Sequence, residues 1–325
     1  MLRSTLASSL LLATALVLPG GCTKKPQLTD VAVPEAGVSL RYDLTPGQQY
    51  DGHVRMRNSA QTPMGDVVTV LDFDVALVVS AKSEDGAQLV RATVQGIELD
   101  LRLPDGIPAA MTGMNPEAAG SLNGMELRFN LDAHGSVSNE PEAPQNAPPE
   151  IKNMISMIGS ALTAGFVRVP EQPIKDGESW DASNKEPDEN VVSSTNTGTL
   201  KGLARNDAGE DLAQLGFVAE IEAKRGEQKF LVKQEVEASF SASGGYPVTV
   251  ERKINNEIVG QGSLLSEIEA TWTKGDKQAV EGATEAAPAA DGAEVQEITD
   301  PCDPDYVGAG ECADDELPVE PAPVQ

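Results

Sequence analysis

Ligating and basic side chains are scarce in this sequence. Its 325 residues hold two His and three Cys, and aromatic residues make up only 4%. A closed zinc set of thiolates and imidazoles cannot be assembled from so few groups, and no cofactor is expected. Cations are short as well: 24 Lys and Arg face 51 Asp and Glu, a formal charge of −27. Phosphate backbones need a cationic surface, so nucleic acid is excluded as a partner. No GxSxG, HExxH or Walker pattern is present. His53 lies in a strand pattern beside Arg55 and Arg57, and His134 lies in a turn pattern. Asp72 with Asp74, and Glu220 with Glu222, place paired carboxylates on one strand face, where acid–base or metal chemistry is conceivable. They alternate with apolar residues, as a solvated sheet face does. The expectation is a protein that is not an enzyme.

No apolar run is long enough to span a bilayer as a stable anchor. Leu6 to Leu18 form a short apolar stretch after the basic Arg3, which reads as a signal peptide over residues 1–21. It ends Leu18-Pro19-Gly20-Gly21-Cys22. Small residues directly before a Cys resemble the lipobox of bacterial lipoproteins, with Pro19 standing where Leu is usual. The resemblance implies a lipidated Cys22 with acyl chains such as palmitate, enough for a stable membrane anchor. Thr23 follows where Asp would favour the inner membrane, so an outer-membrane location facing the periplasm or the surface is implied. Residues 22–37 then read as the lipidated Cys and a tether, reaching about 20 Å on average and about 50 Å fully extended.

Residues 38–275 read as one β-rich domain. Odd positions from Val67 to Val79 are apolar except Thr69, with Asp72 and Asp74 between them, the period of a half-buried strand. Such a run is long enough that a bend or break is expected within it. In the next strand the apolar phase changes: Val90, Ala92 and Val94 are even, and Ile97, Leu99 and Leu101 are odd. Gly96 is therefore read either as a β-bulge or as the meeting point of two strands. Residues 104–124, rich in Pro, Gly, Met and Ala, read as a loop. Further alternation over 217–223, 230–240 and 264–272 fits an antiparallel meander. Two halves, 38–138 and 170–275, are joined by a linker and helix over 139–169. Leu44-Thr-Pro-Gly47-Gln-Gln-Tyr50 is echoed by Ile174-Lys-Asp-Gly177-Glu-Ser-Trp180, which points to a duplicated β unit. The fold expected is mainly β (α+β): a curved antiparallel sheet or half-barrel with one apolar helix packed on it.

That helix runs from Pro149 to Phe166. Met154, Ile155, Met157, Ile158, Leu162 and Phe166 make its apolar face. Two readings are open: these residues fill the core, or they line a pocket for a hydrophobic ligand, a task suited to adaptable Met. Residues 276–325 carry fourteen acids and one base, Lys277. They read as a disordered acidic tail. With Cys22 lipidated, Cys302 and Cys312 remain, and an even remainder in an oxidising compartment suggests a disulfide.

The lipobox, the tether and the two turn motifs together resemble an uncharacterised family of β-rich bacterial lipoproteins. The resemblance covers about residues 1–275 and brings no established activity. The function expected is a non-enzymatic outer-membrane lipoprotein that binds a lipid or other hydrophobic envelope ligand. The alternative is a structural module without a cavity that binds envelope proteins.

Overall fold

The computed structural model describes residues 28–277, apart from 63, 83–85, 107–113, 115, 140, 142, 145, 184–189, 227 and 260–261. The signal peptide, Cys22, and residues 278–325 with Cys302 and Cys312 lie outside the described residues.

The domain is one curved, open antiparallel sheet of 12 strands. The first half contributes β2 (Gln48–Thr62), β3 (Gly65–Lys82), β4 (Gln88–Arg102), β5 (Glu126–Leu131) and β6 (Val137–Ser138). The second contributes β7 (Ser179–Asp181), β8 (Val191–Arg205), β9 (Asp211–Arg225), β10 (Gln228–Ser241), β11 (Tyr246–Ile258) and β12 (Gly262–Lys277). Each half is a meander, and they join where β12 pairs with β2, Ala270 opposite Val54. A short β1 (Thr29–Val31) pairs with the end of β8. The segment read as a free tether therefore has its last part fixed to the sheet edge.

The phase change at Gly96 is a bulge. Asp72 pairs with Glu98 and Asp74 with Gln95, so β4 holds one residue more than β3 across this step. Gly96 has φ +60°, the left-handed region that a glycine enters without strain. β3 stays unbroken over 18 residues, so the bend takes the place of a chain break. The 104–124 segment is not wholly loop: α1 (Pro116–Ala119) and a 3-10 turn (Gly120–Leu122) lie in it. Leu122 and Ala119 are buried against the core.

α2 (Pro149–Thr163) is the long helix, with Pro149 in its first turn, where a missing N–H costs nothing. Met154, Ile155, Ile158, Ala161 and Leu162 are buried in one core with Leu71, Phe73, Val75 and Leu77 of β3. Full burial of side chains this size contributes about 1.5–3 kcal/mol each. Before β2, residues 38–44 run extended over the same core, with Val38, Leu40, Tyr42 and Leu44 buried in alternation. The Tyr42 hydroxyl donates to Val167 O and accepts from Val167 N, both at 2.9 Å. Burial drives its pKa up from the ordinary phenolic value, so it stays a neutral donor.

The echoed turns match in three dimensions. Gln48 N donates to Thr45 O at 3.0 Å, and Glu178 N donates to Lys175 O at 3.1 Å. Gly47 N donates to Val79 O, and Gly177 N to Leu200 O. In both halves the acceptor lies on the second strand. The strands that follow differ: β2 has 15 residues and β7 has three.

Candidate functional site

A cavity of about 740 Å³ lies beside the C-terminal end of α2. Its walls are Ser160, Thr163 and Ala164 of the helix, the chain from Phe166 to Arg168, the turn between β5 and β6, and the inward face of β8 to β11. A volume of this size is in the range of small-molecule sites.

Strand register explains its chemistry. Phe217 pairs with Val236, Val236 with Arg252, and Arg252 with Ile268, so these four share one face. Phe217, Val236 and Ile268 are buried, which makes that face the inward one. One step along, Gln234 pairs with Ala219 and Ala219 with Asn196, again on the inward face. Three polar side chains thus stand at positions where the alternation calls for apolar ones. The Arg252 guanidinium donates through Nη2 to Phe166 O at 3.0 Å, while its Nε is buried without a partner. Desolvation pushes its pKa down to about 10. Asn196 donates through Nδ2 to Ala182 O at 3.0 Å, leaving Oδ1 buried and unpartnered. Apolar side chains line the rest: Phe166 and Val167 after α2, and Ala219 and Ile221 beside the polar groups on the sheet. The cavity is therefore amphiphilic.

Of the six helix-face residues considered for ligand binding, Phe166 alone lines this cavity. Met154, Ile155, Ile158 and Leu162 are packed into the core, and Met157 is partly buried against it. Phe166 sits just past the helix, stacked on Trp272 with ring centroids 5.6 Å apart and also touching Phe129. The residues that sequence reading missed are Arg252, Gln234 and Asn196. A signal was available for two of them. Arg252 continues the phase of Val248 and Val250, and Gln234 falls between Val232 and Val236.

His134 lines the cavity through the β5–β6 turn, where Asp132 Oδ1 accepts from the His134 and Ser136 N–H groups, each at 2.8 Å. His53 is on the outer face, with Nδ1 3.0 Å from Asp74 and Nε2 3.3 Å from Asp72. Glu220 pairs with Lys233 at 3.7 Å on the same exposed side. Exposed pairs of this kind are worth little. Among the described residues no group of three or more His, Cys, Asp or Glu could hold a metal ion.

No protein-family model matches the chain, and no curated protein matches it at a significant level. Several solved structures match the chain at low similarity. One describes lipid–protein interactions in lipovitellin, with 11% identity and a TM-score of 0.40 over 77% of this chain. The chain spans only 27% of that lipovitellin chain. Another is DynF from the dynemicin biosynthesis pathway of Micromonospora chersina, with 10% identity and a TM-score of 0.21 over 81% of this chain and 96% of that one. A third is an AttH protein from Nitrosomonas europaea, with 10% identity and a TM-score of 0.14 over 76% of this chain and 99% of that one. Scores this low carry no inference about function.

Proposed function

We propose that the protein is a non-catalytic, lipid-anchored protein of the bacterial outer membrane whose β domain binds a hydrophobic ligand with a polar end. The observation that carries the binding role is the cavity of about 740 Å³ between the end of α2 and the inward face of β8–β11. An interaction module with a solid interior would have no use for such a space. The anchor reading rests on the sequence from Leu18 to Cys22. With Thr29 fixed in β1, the chain from Cys22 spans at most about 25 Å, so the domain would stand close to the membrane.

The test is uptake of a fluorescent fatty acid by delipidated protein. Saturable binding at micromolar concentration is expected, displaced by unlabelled lipid. Absence of uptake would leave the interaction-module reading. Separately, Cys22→Ala is expected to move the protein from the membrane to the soluble fraction. Continued sedimentation of that variant with membranes would refute the anchor.

A further inference from the structure

We infer that the ligand is an anionic amphiphile, with a carboxylate or phosphate head held by Arg252. This deepens the binding role proposed above and rests on it.

The inward face of a β domain is a costly place for a guanidinium. A buried cation without a counter-charge is normally replaced or paired. Among the described residues no carboxylate forms an ion pair with Arg252, although Asp132 and Glu171 line the same cavity. The one hydrogen-bond acceptor of Arg252 is a neutral carbonyl, Phe166 O, and its Nε donor has none. The Asp132 carboxylate is held in the β5–β6 turn, where its Oδ1 accepts two backbone N–H groups. A positive charge without an ion-pair partner thus lines a space large enough for a small molecule.

The neighbours fit the head of such a ligand. Gln234 lies one register step from Arg252 on the adjacent strand and the same face, and its side-chain amide can donate to an anion. Phe217, Ala219, Ile221 and Phe166 supply an apolar wall for a chain. A planar guanidinium offers directional donors to a carboxylate or phosphate, which a lysine cannot reproduce in the same geometry. A bound anion would neutralise the charge.

Lauric acid, lauryl phosphate and lauryl alcohol share one chain and differ in head. Binding of each to the delipidated protein, measured below micelle-forming concentrations, separates head from chain. The anions are expected to bind about tenfold tighter than the alcohol, as a charge-assisted hydrogen bond would give. Arg252→Met should abolish that preference. Its Tm without ligand should rise, because a half-buried cation with an unpartnered Nε is gone. Arg252→Lys should keep part of the preference. Arg252→Gln, which can still donate to Phe166 O, serves if the Met variant fails to fold. Whichever anion binds tighter tells a free fatty acid from a phosphorylated amphiphile, and either supports the inference. Equal binding of anions and alcohol by the unaltered protein, or a preference that survives in the Met or Gln variant, overturns it while the cavity reading stands. No binding of any of the three overturns both.

Discussion

The two halves of the sheet begin with the same turn and end with different interiors. After Gly47 the chain enters a strand of 15 residues that pairs on both sides, with β3 and with β12. After Gly177 it enters a strand of three residues that pairs with β8 alone. In the first half the inward row of β3 is Leu71, Phe73, Val75, Leu77 and Val79, none more than 3% exposed. In the second half the inward rows carry Arg252, Gln234 and Asn196 and border the cavity. One architecture therefore holds a packed region and a hollow one. The first fills its inward row with apolar side chains, where apolar surface is removed from water. The second gives up part of that gain to keep polar groups facing a space.

The sharpest way to break this contrast is a matched pair of truncations. Phe73→Ala in the packed half should cost about 3–5 kcal/mol in a urea titration. Phe217→Ala, against the cavity, should cost less than about 3 kcal/mol, because its loss enlarges a space already present. Equal costs would mean that both halves are equally filled.

At the border between them, Tyr42→Phe removes the hydroxyl that serves both backbone groups of Val167. Two buried polar groups are left bare, and a loss of about 1–3 kcal/mol is expected from the same titration. A loss near zero would show that water reaches Val167 from the cavity.

Gly96→Ala tests the bend of the packed half. A side chain at φ +60°, with its Cβ 3.3 Å from Asp74 Oδ2, should lower stability by about 1–2 kcal/mol. A neutral substitution would mean that the bulge can be relieved elsewhere along β4.

The smallest effect concerns the rim of the hollow half. The hydrogen bond from Arg205, aided by its charge, holds the Asp211 carboxyl below the ordinary carboxylate range. A depressed folded pKa adds stability above the unfolded value near pH 4, and that increment is lost as pH falls through the folded value. Asp211→Asn should therefore flatten the acid limb of stability against pH only slightly, since the pair is exposed. A large change would reveal that this rim is tied to the core.

Much of the packed half could be read in the sequence. Alternation from Val67 to Val79 and the phase change at Gly96 are local signals with period two, and a strand obeys that period whatever surrounds it. The face of α2 was readable for the same reason, at helical spacing. The cavity was harder. Arg252 breaks the apolar phase of β11, yet a single charge in a short strand reads equally well as the strand's end. Asn196 sits in Val191–Arg205, a polar stretch whose inward side only its pairing with Ala219 reveals. The helix face suggested ligand binding, but burial took four of its six residues into the core and left Phe166 at the cavity wall.

By itself, then, the sequence determined the class of fold, the bulge, the helix and the echoed turns, because each depends on neighbours a few residues away. Tertiary structure decided that β12 joins β2, that α2 stops short of filling the second half, and that Arg252, Gln234 and Asn196 line one cavity. Those outcomes depend on pairing between residues far apart in the chain, where no local periodicity records which strand lies opposite which.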